Sequence, residues 1–520
     1  MNFLTKIINK QTSDYIKHNN KFFKKKKSNN KILVEFNAFH STHVAFSYLS
    51  NVLAEKYEAS IQPFFNYTIL SSPLFPSFIQ KLKWFLSKKL NLFNHKVYKS
   101  FGSLNCMKPK INSKNISEAK KIKKKLFENI NKKDEVLDIF YKNILVGDLL
   151  YDTYLKSKNK PTIDLNSNEF HNFCGDFFAL CDFWIDYFEN NSIEAVITSH
   201  SVYSYAIPLR IAVYKNIKAY GCTSRHINKL NKLQFRMHAN ANEYEKIFNS
   251  LDQKTREKGI ELAKETLQNR IQGNIDTSAG FFGNVKVSPF NKMDNERQIN
   301  KSDKIKVLIL PHDFFDAVHI YGKGIFPDFY EWLNFLGSYS KKNNINYEWF
   351  IKLRPDYKGK YVHYHGITEN IVNDFLKNNP HIKKISNNYS LHQIKKEEMD
   401  FVLTVHGTAA LEFPLIKGPS VINASANNPH SYCQFSISPK NLSEYKDTLD
   451  NLSEIKKNKK ETNLDEIYRY YFIRHFYNDK NWLTDQNKLI EFLGLWEKQF
   501  SEKFYLYWIK NFTENNHNKI

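Results

Sequence analysis

Short, mostly apolar runs recur along this chain, each followed by a polar loop and then by helix-spaced sequence. The runs occupy residues 31–36 (KILVEF), 192–200 (SIEAVITSH) and 304–310 (KIKVLIL). Runs of this kind are typical of parallel strands, which helices bury on both faces. The order of strand, loop and helix therefore predicts an α/β fold. Ligands of such folds bind at the carboxyl ends of the strands, so we expect functional residues in the loops that follow these runs.

The chain of 520 residues is too long for one ordinary hydrophobic core. The strand, loop and helix series occurs in each half, which predicts two Rossmann-like domains facing a central cleft. Neither series has G-x-G-x-x-G after its first strand, and no P-loop occurs, which argues against dinucleotide oxidoreductases and P-loop kinases. The predicted parts are a basic N-terminal segment (1–30), an N-terminal Rossmann-like acceptor domain (31–227), a helical and loop linker (228–303), a C-terminal Rossmann-like donor domain (304–452) and C-terminal helices (453–520).

The formal net charge is +23, from 76 Lys and Arg against 53 Asp and Glu. Only nine of the 76 basic residues are arginine. Because the arginine fork grips phosphates with geometric specificity, a charge supplied mostly by lysine argues against nucleic acid as a partner. The densest basic cluster is Phe22 and Phe23 followed by four lysines at 24–27. It favours either peripheral contact with anionic lipid or a solvated basic linker.

Cysteine content and hydropathy bear on location. The five cysteines are odd in number and never spaced C-x-x-C, so we expect neither a disulfide framework nor a structural zinc site. The chain has no stretch of eighteen apolar residues and no apolar core of a signal peptide, so we expect no transmembrane helix. We predict a cytoplasmic protein that contacts the inner face of the plasma membrane peripherally.

The segment 400–422 (DFVLTVHGTAALEFPLIKGPSVI) carries the strongest functional pattern. A predicted strand delivers His406, Gly407 and Thr408 into a turn. A helix then starts near Ala409, so its free N–H groups and positive dipole end are placed to bind phosphate. Glu412 lies one helical turn after Thr408, where its carboxylate would accept hydrogen bonds from a ribose diol. The alternatives are a buried structural role for His406 and a helix-dipole role for Glu412.

The stretch TVHGTAALEFPLIKGPSVI resembles the nucleotide-binding segment of GT-B glycosyltransferases of the bacterial capsule and surface-polysaccharide type. The segments LPHDFFDA, KLRPD and SYCQFSISPKNLSEYKDTLDNL resemble, in the same order, parts of capsule polysaccharide biosynthesis proteins. The resemblance covers residues 305–452 and extends to the N-terminal half only in architecture. It implies that Gly407 and Thr408 contact the donor phosphates and that Glu412 holds the ribose. It also implies chemistry without a metal or cofactor, with a nucleotide-sugar as substrate.

Proteins of this family usually have Lys-x-His-Pro at the end of an earlier strand, facing the same phosphates. This chain has Lys352, Leu353, Arg354 and Pro355 instead. Arg354 preserves a cation for phosphate but removes a group able to titrate near neutrality. Lys352 and Arg354 are therefore candidates for the donor phosphates, and a solvated strand end is the alternative.

Histidines at strand ends supply candidate catalytic groups. His312 follows the first strand of the second series, where it could hydrogen-bond the leaving phosphate or the sugar. His40 and His43 follow the first strand of the N-terminal series, and His200 ends its second strand. An inverting transferase needs a general base near the acceptor hydroxyl, and an imidazole suits that role, although each histidine could instead be structural. Glu35 is a secondary carboxylate candidate, because burying it unpaired would be costly.

These features predict a glycosyltransferase that moves a sugar from a nucleotide-activated donor to a cell-surface polysaccharide or lipid-linked acceptor. One alternative is a sugar-nucleotide epimerase or polyol-phosphate transferase with the same cleft. A second alternative is a non-catalytic component of a polysaccharide assembly complex, which the replacement of histidine by Arg354 keeps open.

Overall fold

The computed structural model describes residues 16–17, 19–21, 23–36, 40–65, 82, 85–86, 93–222, 227–274, 287–291, 297–355 and 361–477. These residues form two compact units. The first unit contains the described residues up to 158 together with 163–237, and the second contains 159–162 and 238–477. Residues 1–15 of the predicted N-terminal segment, Phe22 of the basic cluster and the predicted helices beyond 477 lie outside the described residues.

The first unit is built on a five-stranded sheet with the order β2-β1-β5-β6-β7. Neighbouring strands are parallel except β6 and β7, which are antiparallel. The central strands are aliphatic runs buried along most of their length, as a sheet covered on both faces requires. The strands of this unit are β1 (Lys31–Glu35), β2 (Ser60–Phe64), β3 (Phe140–Tyr141), β4 (Ile144–Leu145), β5 (Ile193–Thr198), β6 (Lys218–Cys222) and β7 (Ile227–Leu230), of which β3 and β4 form a separate hairpin.

The second unit is built on a five-stranded sheet in which every neighbouring pair is parallel. Its order is β10-β9-β8-β11-β12, so the first strand in sequence lies at the centre and later strands are added on both sides. This is the strand order of a Rossmann-like sheet. The strands are β8 (Ile305–Leu310), β9 (Tyr347–Ile351), β10 (Ile382–Lys384), β11 (Phe401–Thr404) and β12 (Ser420–Asn423).

Helices connect these strands in both units. The helices of the first unit are α1 (His40–Lys56), α2 (Phe93–Ser100), α3 (Ser113–Phe127), α4 (Gly147–Lys158), α5 (Asn168–Glu189) and α6 (Ile207–Tyr214). Those of the second unit are α7 (Tyr244–Asn249), α8 (Gln253–Ile271), α9 (Phe329–Lys342), α10 (Tyr361–Asn378), α11 (Leu391–Lys396), α12 (Ala409–Leu415), α13 (Leu442–Asp450), α14 (Leu452–Lys457) and α15 (Leu464–His475). The predicted α/β fold with two Rossmann-like sheets is confirmed.

Side chains of α1 share a core with the first strand. Phe46, Leu49 and Leu53 are fully buried and belong to the same cluster as Ile32 and Val34 of β1. The helix residues are spaced three and four apart, which places them on one face, and the strand residues are two apart, which does the same. Burying each of the larger side chains contributes about 1.5–3 kcal/mol to the hydrophobic stabilisation.

In each sheet the strand order reverses at one place, and that place is a topological switch point. In the first sheet it lies between β1 and β5, and in the second it lies between β8 and β11. Connections leave in opposite directions at a switch point, which opens a crevice at the carboxyl ends of the two strands. The loops after these four strands hold most of the candidate residues, and the loop after β9 holds Lys352 and Arg354.

The segment 228–303, expected to link two domains, is structured where the structure describes it. Its start belongs to β7 at the edge of the first sheet, and its helix α8 belongs to the second unit. The buried residues of α8 are Gly259, Ala263, Leu267 and Arg270. This stripe is narrow and contains few large apolar side chains, which is why the helix looked like a polar connection in the sequence.

Cysteines and membrane spans can be checked directly. All five cysteines are buried and none forms a disulfide. Within the described part of the chain, no helix combines the length and the hydrophobicity that crossing a bilayer would demand.

Gly259 permits a close approach between α8 and α15. A Cβ atom at this position would lie 2.4 Å from Cε1 of Phe472, a ring that is 1% exposed. We expect Gly259→Ala to lower the free energy of unfolding by about 1–2 kcal/mol, because the cost of overpacking exceeds the gain in helix propensity. Urea denaturation followed by circular dichroism measures this change.

The matched control is Gly175→Ala in α5, where an added Cβ meets nothing within 4 Å. This substitution should raise the free energy of unfolding by up to about 1 kcal/mol through helix propensity alone. Equal effects of the two substitutions would contradict the packing that we describe between α8 and α15.

Candidate functional site

The switch point of the second sheet brings two histidines together. His312 follows β8 and His406 follows β11, and their ring centroids are 6.1 Å apart. Phe329, the first residue of α9, packs edge-on against both rings, at 5.3 Å from His312 and 4.8 Å from His406. Nε2 of His406 is hydrogen-bonded to Oγ of Ser425, at 3.1 Å, in the loop after β12. Three strand ends thus converge on one group of polar side chains.

Burial keeps both imidazoles neutral. Burial, and then the nearby Arg354 guanidinium, lower the pKa of His312 to about 4. The pKa of His406 lies well below its ordinary value, because of burial first and of the neighbouring His312 next. At neutral pH these rings can donate an N–H or accept a hydrogen bond, but they carry no proton to give away as an acid. We therefore expect His312 to act through hydrogen bonding, unless a bound anion raises its pKa.

Arg354 lies at the same edge, after β9, in a partly exposed ion pair. Its Nη1 is 3.2 Å from Oδ2 of Asp313, with 34% of the Arg354 side chain and 13% of the Asp313 side chain exposed. Oγ1 of Thr368 donates to the other carboxylate oxygen of Asp313, at 3.1 Å. Lys352 is placed differently from Arg354. Its side chain is buried, and its Nζ donates to the Leu353 carbonyl at 3.2 Å. Of the two predicted phosphate cations, Arg354 is the accessible one.

Gly407 and Thr408 form the turn between β11 and α12. The Gly407 N–H donates to Oγ1 of Thr404 at 3.3 Å, and a Cβ at Gly407 would lie 2.6 Å from that oxygen. Glycine is therefore required by a close approach within the turn itself. Thr408 is exposed, and its hydroxyl makes no capping hydrogen bond to α12. Its hydroxyl therefore makes no contact that fixes the start of the helix.

Glu412 is not open to a ribose in this structure. Its carboxylate oxygen Oε1 accepts from Nε of Arg270 at 3.0 Å and from Nη2 of the same guanidinium, and both side chains are 5% exposed. Arg270 comes from α8, 142 residues earlier in the chain. The pair anchors α12 to α8, and this structural role accounts for the burial of Glu412. The sequence alone gave no signal for Arg270 as the partner.

A second polar group lies at the switch point of the first sheet. Glu35 ends β1 and is 3% exposed, and its Oε2 accepts from the Ser199 N–H at 2.6 Å and from the Ser199 hydroxyl at 2.8 Å. Oγ of Ser199 is 2.9 Å from Nδ1 of His200. Since a serine has one hydroxyl hydrogen and it points to Glu35, Nδ1 of His200 must donate. In this tautomer the lone pair of the His200 ring is on Nε2.

The protonation of Glu35 is set by its surroundings. Burial raises the pKa of this carboxyl to about 7, against the two hydrogen bonds from Ser199, which lower it. Protonation of Glu35 would leave the Ser199 hydroxyl with a weaker acceptor. The hydrogen-bonded chain from Glu35 to His200 therefore changes with pH near neutrality.

The other predicted bases are placed differently. His43 is fully buried in α1, with its ring 5.4 Å from that of Tyr98. A base must reach its substrate, so we do not retain His43 as a candidate. The side chain of His40 lies outside the described residues. His200 has the tautomer that a proton acceptor needs.

No group of three or more His, Cys, Asp or Glu side chains is arranged to hold a metal ion within the described ranges. A small, open pocket lies beside His406. It is bounded by His406, Ser425 and residues of the loop 318–329. Three residues of this region were not predicted from the sequence: Ser425, which lines the pocket, Tyr321, whose ring is 5.0 Å from that of His406, and Arg474, whose Nη2 donates to the Tyr321 hydroxyl at 2.8 Å.

No protein-family model matches this chain, and no curated protein matches it. Two solved structures are similar over most of its length. The UDP-GlcNAc 2-epimerase of Methanocaldococcus jannaschii, in complex with UDP-GlcNAc and UDP, is 12% identical, with 85% of this chain and 97% of that chain covered and a TM-score of 0.25. A glycosyltransferase from Rickettsia africae ESF-5 is 9% identical, with 91% of this chain and 99% of that chain covered and a TM-score of 0.25. A likeness this remote carries no argument about function.

The raised pKa of Glu35 predicts a pH-dependent stability. Between the ordinary value of 4.5 and about 7 the folded state holds the extra proton, so the free energy of unfolding falls as pH rises through this window and is level above it. The loss amounts to roughly 3 kcal/mol. Glu35→Gln removes this titration, so its stability relative to wild type should improve steadily between pH 5 and pH 7.5, measured by urea denaturation. Glu194→Gln on β5, where the carboxylate is only partly buried, is the control. Parallel curves for wild type and Glu35→Gln would refute the assignment.

The buried pair of Arg270 and Glu412 predicts strong coupling between two distant segments. Replacing either residue alone with Met should lower the free energy of unfolding by about 3–5 kcal/mol, because the remaining buried charge loses the opposite charge of this pair. The double replacement should cost much less than the sum, which a double-mutant cycle by urea denaturation measures. Lys417→Met, which removes an exposed pair with Glu461, should change little. Additive single effects would contradict a direct pair.

Proposed function

We propose that this chain is a glycosyltransferase that moves a sugar from a nucleotide-activated donor to a hydroxyl of a cell-surface polysaccharide or lipid-linked acceptor. The observation that carries the proposal is the group at the second switch point, where Arg354 lies beside the neutral imidazoles of His312 and His406. Departure of a nucleoside diphosphate places negative charge on a phosphate oxygen, and such a reaction needs fixed donors and a cation aimed at that oxygen.

The ion pair of Arg354 is suited to exchange. Asp313 occupies one side of the guanidinium, and the pair is partly exposed, so a phosphate can compete with the carboxylate at little cost. A phosphate offers oxygens in the geometry that a guanidinium binds bidentately. The neutral imidazoles add N–H donors, and a nearby anion would raise their low pKa values and strengthen those hydrogen bonds.

The transfer also requires removal of one proton. The bond between the anomeric carbon and the donor phosphate oxygen breaks with its electron pair on the phosphate, and the acceptor oxygen forms the new glycosidic bond. The acceptor proton then needs a base. We assign this role to His200, because the hydrogen bonds through Ser199 to Glu35 place the lone pair of its ring on Nε2.

The acceptor class and the peripheral membrane contact are further parts of the proposal. The segments 305–452 that resemble capsule polysaccharide proteins support a surface polysaccharide acceptor. Lys24, Lys25, Lys26 and Lys27 are exposed and could meet anionic lipid. Phe23 packs edge-on against Tyr48 at 5.4 Å, so its ring is used on the protein's own surface. Any lipid contact by these four lysines would be electrostatic.

Opposite effects of the two members of one ion pair test the phosphate role. We expect Arg354→Gln to weaken binding of UDP, GDP or CDP by about tenfold or more, because the substitution removes a charge-assisted hydrogen bond. Asp313→Asn should keep or increase the affinity, because it removes the carboxylate that competes with phosphate. Isothermal titration calorimetry with each nucleotide measures both variants. Equal losses from the two substitutions would point to a structural role for the pair.

Product analysis then tests the reaction class. Release of free nucleotide together with a lengthened acceptor supports transfer. An isomerised sugar without any acceptor would overturn transfer in favour of an epimerase. Binding of no nucleotide by the wild-type protein would overturn the proposal altogether and favour a non-catalytic component.

A further inference from the structure

Arg474 carries a charge that no carboxylate of the described residues neutralises. It is in the last turn of α15, where its Nη1 donates to the His238 carbonyl at 3.0 Å and its Nη2 donates to the Tyr321 hydroxyl at 2.8 Å. Its guanidinium carbon is 5.7 Å from the centroid of the Tyr321 ring. These contacts use two of five N–H groups, and within the described ranges the other three have no partner.

The buried acidic residue of α15, Glu466, forms hydrogen bonds with other groups. Glu466 accepts from the Tyr244 hydroxyl at 2.8 Å and from the Gln434 N–H at 2.9 Å. The helix dipole favours a cation at this end of α15. That effect is small, and it does not explain why the Arg474 guanidinium is half-buried. A half-buried guanidinium without a counter-ion is costly, which suggests that an anion completes the site.

The contacts of Tyr321 connect Arg474 to the candidate donor site. The Tyr321 ring is 5.0 Å from the ring of His406, which is 6.1 Å from that of His312. The Tyr321 hydroxyl accepts from Arg474, so its own hydrogen is still available to donate. The His406 ring is therefore near two other rings. One is that of His312, which is close to Arg354, and the other is that of Tyr321, whose hydroxyl accepts from Arg474.

Two buried polar atoms have no hydrogen-bond partner among the described residues. They are Nδ1 of His430, a residue that is 6% exposed, and the hydroxyl of Tyr470, which is fully buried. Their rings are 5.3 Å apart. Burial and then the charge of Arg474 lower the pKa of His430 to about 3. The charge of Arg474 thus acts on both of these side chains.

We propose that Arg474 and the Tyr321 hydroxyl form a second oxyanion subsite, which binds an anionic group of the donor other than the phosphate held by Arg354. This inference rests on the proposed function and adds a substrate class to it. The oxyanion could be the second phosphate of a nucleoside diphosphate or the carboxylate of an acidic sugar. Both present coplanar oxygens to a guanidinium fork and accept a hydrogen bond from a tyrosine hydroxyl.

The experiment compares four ligands by isothermal titration calorimetry: UMP, UDP, UDP-glucose and UDP-glucuronate. Arg474→Gln should weaken the ligands that carry the extra oxyanion by about tenfold or more and leave the others unchanged. A loss for UDP but not for UMP identifies the second phosphate. A loss for UDP-glucuronate but not for UDP-glucose identifies the sugar carboxylate. Tyr321→Phe should give a smaller loss with the same ligand selectivity.

The matched control is Arg469→Gln on the same helix, where the arginine pairs with Glu245 at 3.9 Å. It should bind all four ligands as wild type does. An equal loss for all four ligands with Arg474→Gln, or no loss for any, would overturn the subsite while leaving the proposed function intact. If none of the four, nor GDP or CDP, binds the wild-type protein, the proposed function fails and the subsite fails with it.

Discussion

In a parallel sheet every strand ends at the same edge, and this constraint organises both units of the protein. Side chains that are distant in sequence meet there because the ends of neighbouring strands lie side by side. His312 and His406 are separated by more than ninety residues, yet they lie together because β8 and β11 are neighbours. Glu35 and Ser199 meet in the same way through β1 and β5. Changing the strand order would separate both groups.

Much of this arrangement follows from the sequence. Aliphatic runs such as those at 31–36 and 304–310 are too short for helices and too apolar for exposed strands, so a buried parallel strand is the remaining choice. The polar residue after each run must then lie at the functional edge. Position along a strand is a local property. The sequence was therefore enough to predict that strand ends hold Arg354, His200, His312 and His406.

Burial and pairing could not be predicted in the same way. Lys352, His43 and Glu412 are at the expected places along the chain, but the structure turns their side chains into the protein interior. Their partners or neighbours come from other segments, and no periodicity in the sequence reports them. The buried stripe on α8 was not predicted, for a related reason. Gly259 and Ala263 mark this buried face by their small size and not by hydrophobicity.

Arginine is scarce in this chain, and the structure places several arginines where lysine would not serve. Arg210 and Arg236 share the buried carboxylate of Asp148, and Arg270 grips Glu412 with two nitrogens. The last of these pairs has an evolutionary consequence. A substitution at either member leaves a buried charge, so a lineage can lose the pair only by passing through an unstable intermediate or by changing both residues together. Among descendants of this sequence, positions 270 and 412 should therefore vary jointly, even though 142 residues separate them.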